Sequence, residues 1–506
     1  MEEYYKNLKA KVFDIDAGKL ISIINEKDAE ELGILPLERI EIINPKNGKR
    51  THSVVDVSST MVNRNNIGFF KSVQKELQIK SNEQVKVKPV GRPETIDYIK
   101  KKMRGDRLST EEIKKIVVDI SRNRLSDIEL TAFMAAVYIK GFDLEETVAM
   151  TRALVDNGKQ LKIDAFPVVD KHSIGGTNGR ATMIVVPIIA AAGYYIPKTS
   201  SKAITSCCGT ADAMEVLAEV ALGVNQIKEI TERIGGVIAW GGGVELAPAD
   251  DKIIKVEHPL SLDPEGQVVA SVMAKKASVG SKYLVIDLPI GPKVKIKTKE
   301  KAESMAFKFI EVGRRFGIKV ECILTDGAEP SGAAFGPALE AKYVLEILEG
   351  KRFDNLAQKS CELAGAIFEL AGKSKKGMGY ELAKEIVESG KALAKMKEII
   401  KAQNGKIFSS EQIKTASLVQ PVLSVEKGII REINVRKMTQ IARNAGAPAD
   451  KKSGVMLKKK VGDKIVNGET VFEIYSENKR KMRAAITYAQ KNNPIEVEKV
   501  VFERYS

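Results

Sequence analysis

Between residues 8 and 90, apolar and polar positions alternate in short runs. These are Val12-Phe13-Asp14-Ile15-Asp16, Leu20-Ile21-Ser22-Ile23-Ile24, Ile40-Glu41-Ile42-Ile43, His52-Ser53-Val54-Val55 and Gln84-Val85-Lys86-Val87. A period of two predicts half-buried strands, and one helix is expected over residues 27–32. Past Pro93 the period changes. Leu130, Phe133, Met134, Val137 and Tyr138 recur at helical spacing. Ser109 and Glu112, Ser126 and Glu129, and Asp143 and Glu146 each carry the spacing of a capping box, and Gly105, Gly141 and Gly158 suit the intervening turns.

From residue 166 to about 414, strand-like and helix-like segments alternate. Val168-Val169, Val237-Ile238-Ala239-Trp240, Tyr283-Leu284-Val285-Ile286-Asp287-Leu288 and Lys319-Val320-Glu321-Cys322-Ile323-Leu324 read as buried strands. The longest apolar run, 181–196, contains Pro187 and Gly193 and falls short of the ~20 residues of a membrane span, so it predicts a buried helix. Residues 250–280 read as helical and are expected to pack back on the bundle. After 412 a turn–strand–turn–strand pattern returns, as in Val461 to Thr470 followed by Val471-Phe472-Glu473-Ile474. The pattern predicts a multidomain α/β protein. Its expected parts are an N-terminal β-rich domain (1–90), a helical bundle (94–160, with 250–280), an α/β phosphate-binding domain (165–415) and a C-terminal β domain of barrel-sandwich type (416–506).

With 506 residues, about three or four domains are expected. The formal charge of +15 suits an anionic partner. The dense basic runs are short (Lys458-Lys459-Lys460 and Lys479-Arg480-Lys481) and lack interleaved aromatics, against a nucleic-acid-binding protein. The 4 cysteines form no C-x-x-C, which disfavours a zinc or redox site. No metal is expected, and the thiols are expected to be reduced in a cytoplasmic protein. The N-terminus lacks a signal-peptide pattern.

The chemistry concentrates in two polar loops. The first is Lys171-His172-Ser173-Ile174-Gly175-Gly176. The second is Lys198-Thr199-Ser200-Ser201-Lys202-Ala203-Ile204-Thr205-Ser206, followed by Gly209-Thr210-Ala211-Asp212. Each precedes a helix-like segment, and N–H groups, hydroxyls and ammoniums at a helix N-terminus attract anions. A Walker A pattern is absent here. The plainer readings are a tight strand-to-helix turn and a solvated connector. For His172 the plain reading is a structural histidine, and for His258 a helix-start residue. For Asp263 and Glu265, flanking Pro264, it is a solvated helix start. Ser271 and Lys275, one helical turn apart, read as a surface pair.

Taken together, D-K-H-S-I-G-G at 170–176, S-S-K-A-I-T-S-C-C-G-T-A-D at 200–212, L-A-P-A-D at 246–250, H-P-L-S-L-D-P-E-G-Q at 258–267 and S-V-M-A-K-K at 271–276 resemble the thymidine/pyrimidine nucleoside phosphorylase family. The likeness is to its archaeal AMP-phosphorylase branch, over nearly the whole chain. The resemblance implies phosphorolysis of AMP, with CMP and UMP as further candidates, to free base and ribose 1,5-bisphosphate. Inorganic phosphate is the co-substrate, and no cofactor, nucleic acid or membrane is implied. A homodimer or larger homo-oligomer is.

The same resemblance places phosphate at Lys171, Ser173, Thr182, Ser200 and Thr210. It places the nucleotide at Gly175, Ser201, Lys202, Ala203, Ile204, Thr205, Ser206, Thr210, Ser271 and Lys295. Asp263 falls at the proton donor, and His258 and Lys275 at base contacts. Two departures stand out: Lys202 replaces the usual Arg, and T-N-G-R at 177–180 replaces V-P-G-N. Cys207-Cys208, where small residues are usual, read as packing. The alternatives are a pyrimidine nucleoside phosphorylase, against which His258 in place of an Arg counts, and a basic nucleic-acid binder.

Overall fold

A computed structural model describes residues 5–175, 179–203, 206–244, 246–291 and 294–498. The chain divides into two compact units, one of residues up to Asn157 with Ala247–Ala270, the other of Gly158–Leu246 with the chain from Ser271 onward.

In the first unit, β1 (Lys6–Val12), β2 (Ile21–Asn25), β3 (Arg39–Ile43), β4 (Arg50–Ser58), β5 (Asn66–Phe69) and β6 (Gln84–Val90) close into a barrel of order β1-β5-β2-β4-β3-β6. Helices α1 (Glu26–Leu32) and α2 (Lys71–Leu77) accompany it. Leu8, Ile24, Ile40, Ile42, Val55, Phe69, Val85 and Val87 fill its core. The first strand lies at 6–12, not at the expected 12–16. Its inward residues Leu8 and Ala10 alternate with lysines, so its apolar signal is weak. Strand β5 was not expected: it has four residues, and its Gly68 lies where a Cβ would stand 2.4 Å from the Phe13 ring. Yet β5 pairs with both β1 and β2 and closes the barrel.

Four helices follow, α3 (Thr95–Arg104), α4 (Thr110–Ser121), α5 (Asp127–Lys140) and α6 (Leu144–Asp156). All three expected capping boxes form. The box carboxylates also serve longer-range contacts. Glu146 accepts from Lys102 Nζ at 2.7 Å inside the bundle, and Glu129 pairs with Arg39 of the barrel. Tyr138, expected on the buried face, is exposed. The helix Pro248–Leu260 belongs to this unit, whereas residues 271–280 of the expected 250–280 segment fall in the other. Lys252 Nζ donates to the last carbonyls of α4, Ile120 O at 3.2 Å and Ser121 O at 2.8 Å, where the helix dipole favours a cation.

The second unit holds β7 (Val169–Ser173), α7 (Gly179–Ala191), β8 (Ile196–Ser200), α8 (Thr210–Leu217), α9 (Val224–Ile234) and β9 (Gly236–Trp240). After α10, the Pro248–Leu260 helix already described, α11 (Glu265–Ser278) carries residues of both units. Then come β10 (Tyr283–Ile290), α12 (Lys299–Arg315) and β11 (Lys319–Asp326). The strands are parallel, in two sheets β11-β10-β7 and β8-β9. A single parallel bridge, Val168 to Tyr195, sets β8 beside β7. Strand β11 was expected to be buried, but it is an edge strand with alternate residues exposed.

The apolar run at 181–196 divides into the buried helix α7 and the start of β8. Helix α7 packs against α13 (Pro337–Leu348), α14 (Asn355–Leu370), α15 (Gly379–Glu388) and α16 (Lys391–Ala402). Beyond them lie β13 (Leu418–Leu423), β14 (Gly428–Ile433), α17 (Val435–Ala445), β15 (Gly454–Leu457), β16 (Lys464–Ile465), β17 (Thr470–Ser476), α18 (Lys479–Lys491) and β18 (Ile495–Val497). The β-rich pattern expected after 416 did not include α17 and α18, whose apolar residues are few among many charges. Strand β12 (Ala334–Phe335), from before residue 415, joins the sheet β12-β15-β17-β13. Two close backbone approaches allow this: a Cβ on Gly336 would stand 2.4 Å from Ser453 O, and one on Gly454 would stand 2.1 Å from Phe335 O.

Strand β9 ends the short sheet, and a side chain covers its edge. Buried Gln403 accepts from Ile238 N at 3.0 Å, donates to Ile238 O at 3.0 Å and donates to Glu219 O at 2.7 Å. Gln403→Leu leaves these backbone groups unpaired, and each costs about 1–3 kcal/mol. The single tryptophan, Trp240, ends the same strand. Urea unfolding of Gln403→Leu followed by Trp240 fluorescence is expected to show a stability loss of about 3 kcal/mol or more.

Candidate active site

Because the strands are parallel, their C-terminal ends open on one edge, where ligands of α/β sheets bind. There Gly175 adopts φ +82° and faces Lys295, whose Cγ would be 3.1 Å from an added Cβ. On Gly209, a Cβ would stand 2.5 Å from Ser201 O, so only glycine lets the loop after β8 fold against the start of α8. Asp212 holds that fold: its carboxylate accepts from Ala203 N at 2.6 Å and Gly209 N at 2.9 Å. Position 212 was not expected to matter, although its place three residues after a helix N-cap is a readable capping signal.

Beneath the edge lies a group of buried charges. Asp170 is fully buried and accepts from Lys276 Nζ at 2.7 Å, Lys198 Nζ at 3.2 Å and Lys171 N at 2.7 Å. Burial alone would raise its carboxyl, but the two ammoniums and the N–H outweigh this and hold it below its ordinary value. Lys198 also donates to Lys171 O at 2.7 Å. On β10, buried Asp287 accepts from Ser173 Oγ at 2.6 Å and pairs with Lys359 at 3.3 Å.

Lys171 has no such partner. It is 1% exposed, and among the described residues its ammonium has one hydrogen bond, to Thr182 Oγ1 at 3.4 Å, and no ion pair. Burial pushes its pKa down to about 8. Burial and the neighbouring Lys276, Lys198, Lys171 and Lys275 push His172 well below its ordinary value, so the imidazole is neutral. Asp287 and Asp170 favour the ammonium from a distance, but a buried ammonium with no carboxylate in contact is expensive unless an anion meets it. The edge therefore carries an excess of positive charge that a phosphate would balance.

The structure thus brings Lys171 and Thr182 together, and Gly175 and Lys295. Ser173 stands beside them, but its hydroxyl is given to Asp287. Ser200 ends β8, and Thr210, nearly buried, begins α8. In the second loop Ser201 O accepts from Ala211 N at 3.4 Å, Ala203 is held by Asp212, and Ser206 Oγ donates to Cys208 O at 3.1 Å. Ile204 and Thr205 lie outside the described residues. Ser271 and Lys275 approach to 3.5 Å on α11.

One expectation is corrected. Lys198 is no loop cation but a buried strand residue paired to Asp170, and Lys202 is paired to Glu215 at 2.7 Å, so neither is a loose ammonium awaiting an anion. Residues 171–173 likewise lie in β7, not in a loop. In the first unit, Asp263 is exposed in the turn between α10 and α11, and His258 Nε2 is buried with no hydrogen-bond partner among the described residues. Asp170, Asp287, Lys276, Lys359 and Glu215 went unassigned. The signal for the two aspartates was a charge within an apolar strand, which demands a buried partner. No cluster of His, Cys, Asp or Glu that could hold a metal ion occurs among the described residues.

Comparison with known proteins agrees with this architecture. Residues 96–158 match the helical bundle domain of a glycosyl transferase family, and 165–260 match that family's α/β domain. Residues 429–496 match the pyrimidine nucleoside phosphorylase C-terminal domain. An anthranilate phosphoribosyltransferase from Thermus thermophilus shares the fold, with a TM-score of 0.53 and 20% identity over 61% of this chain and 100% of that one. The class is thus a glycosyl transferase built from a helical bundle and an α/β domain. AMP phosphorylase 1 of Archaeoglobus fulgidus is 44% identical over 97% of both chains. The AMP phosphorylase of Pyrococcus furiosus is 44% identical over 98% of both. The chain belongs to the AMP phosphorylase family.

Lys171 provides a test. Its pKa is lower folded than unfolded, so the folded chain binds fewer protons between about pH 8 and its ordinary value of 10.5. The buried ammonium therefore destabilises the free protein, fully so below pH 8. Lys171→Met is expected to raise the melting temperature without phosphate at pH 7 and to abolish the stabilisation phosphate confers. In the unaltered protein that stabilisation is expected to fade above about pH 8, as the ammonium deprotonates. Thermal denaturation with and without phosphate reads both.

Proposed function

We propose that the chain transfers the ribosyl group of a nucleoside 5′-monophosphate, AMP first, to inorganic phosphate. The observation that carries this reading is the buried Lys171 ammonium, unpaired among the described residues, at the C-terminal edge of a parallel sheet. In the reaction a phosphate oxygen bonds to C1′ while the N-glycosidic bond breaks. The base leaves with the bonding electron pair and takes a proton, giving free adenine and ribose 1,5-bisphosphate. Positive charge develops on the ribose and negative charge on the base. The phosphate anion stabilises the first and a proton donor the second. We assign the donor to Asp263.

In this reading Lys171, Ser173, Thr182, Ser200 and Thr210 orient phosphate, and orientation of a nucleophile contributes up to ~7–11 kcal/mol. Gly175, 201–206, Thr210, Ser271 and Lys295 hold the nucleotide, with His258 and Lys275 toward the base. Phosphate is a co-substrate and no cofactor takes part. CMP and UMP are further substrates in the same reading, and the protein works as a cytoplasmic homo-oligomer. Its β-rich N-terminal part and its C-terminal domain lie outside the transfer chemistry.

Phosphate-dependent release of adenine is expected from AMP and to be at least about tenfold slower from adenosine, since a lost charged contact costs about 1.5–3 kcal/mol. Equal rates on the two would remove the 5′-phosphate from the reading. Asp263→Asn is expected to bind AMP and lose turnover by about 10²-fold or more, the usual scale of proton-transfer catalysis. Full activity in that variant would take Asp263 out of the mechanism.

A further inference from the structure

The loop after β8 is gripped at both described ends, 201–203 and 206–209, by one stretch of the C-terminal domain. At the far end, Cys207 is buried, and it belongs to the C-terminal core with Phe335, Met438, Ile441 and Ala442 rather than to the core around α7. It also exchanges a hydrogen bond with Thr439 of α17. One residue earlier, Arg443 of α17 donates to Ser206 O at 3.0 Å. At the near end, the Lys202 ammonium lies 5.1 Å above the Trp240 ring and pairs with Glu215 at 2.7 Å. The other oxygen of Glu215 meets Lys451 Nζ at 2.8 Å. Lys451 is itself pinned through its carbonyl, which accepts from Ala338 N at 2.9 Å.

We infer that residues 435–453 position the nucleotide-binding loop, with Arg443 and Lys451 as its positioning residues. The inference rests on the reading that this loop meets the nucleotide. The physical argument is one of restraint. A guanidine has a fixed fork of donors and holds a carbonyl in one place. A lysine placed as Lys202 is, between an aromatic face and a carboxylate, has few alternative rotamers. The chain of contacts Trp240, Lys202, Glu215 and Lys451 makes the rotamer at 202 depend on a residue about 250 positions away. The ammonium at 202 has one point of attachment, and Glu215 aims it. Burial raises the Glu215 carboxyl, but hydrogen bonds from Lys202 and Lys451 outweigh this and keep it ionised below its ordinary range. Burial pushes the Cys207 thiol up to about 12, so it acts as an apolar plug rather than a nucleophile.

Exposed ion pairs contribute little singly, and Lys451 is half exposed, so the test uses the double variant Arg443→Met, Lys451→Met in the full-length protein. Its KM for AMP is expected to rise roughly five- to tenfold, the scale of about one ordinary hydrogen bond. The KM for phosphate and kcat stay within about twofold, and Arg443→Lys with Lys451→Arg restores the AMP value. Trp240 emission is expected to shift as Lys202 leaves the ring, a readout that needs no turnover. Wild-type emission and wild-type AMP KM in a variant of native circular dichroism would overturn the inference. So would parallel rises of both KM values, which mark a general loosening. If the unaltered protein released no base from AMP, the reading of the site would fall instead, and Trp240 emission alone would then decide whether the arm holds the loop.

Discussion

The α/β sheet is nearly cut in two between β7 and β8, and one carboxylate holds the halves together. Among the described residues, only the Val168–Tyr195 bridge pairs their backbones. Asp170, on β7, reaches Lys198 on β8 and Lys276 on α11, while Lys198 returns to the carbonyl of Lys171. A ladder of backbone bonds would have brought the C-terminal ends of the two strands flush. Replacing it with long side chains lets the strands part, and the edge that gathers Lys171, Gly175 and Lys295 lies where they part. The arrangement needs Asp170 ionised in a dry interior, which two ammoniums and a backbone N–H make possible.

The chemistry follows from the imbalance this creates. Asp170 and Asp287 satisfy Lys198, Lys276 and Lys359, and Lys171 is left over. Burial, with the surrounding ammoniums, also keeps His172 neutral, so it adds no further charge. A buried ammonium without an ion pair is costly by itself, and an anion placed against it would offset that cost. Buried functional charges of this kind trade stability of the free protein for affinity.

The rest of the second unit serves that edge. Glycines at 175 and 209 allow backbone and Lys295 to approach, Asp212 closes the second loop, and the C-terminal domain grips it through Cys207, Arg443 and Lys451. The exchange of β12 into the C-terminal sheet explains how a domain that looks separate in sequence supports the loop. Membership of the AMP phosphorylase family fits a chain whose bundle, α/β and C-terminal segments each match a known domain.

Local physics was legible from the chain alone. Capping boxes at Ser109, Ser126 and Asp143 need only four consecutive residues, and the buried helix at α7 needs only a run of apolar ones. The motifs at 170–176 and 200–212 likewise stood out as polar segments beside apolar strands. What lay beyond reach depended on partners distant along the chain. Strand β5 is too short to carry a period, and its role is to be flanked by β1 and β2. Lys198 and Lys202 looked alike in sequence, as cations of one loop. Only tertiary packing decided that the first lies beneath the sheet edge against Asp170 and the second against Glu215. A lysine's function is set by which carboxylate it meets, and that is a property of three-dimensional neighbours rather than of spacing.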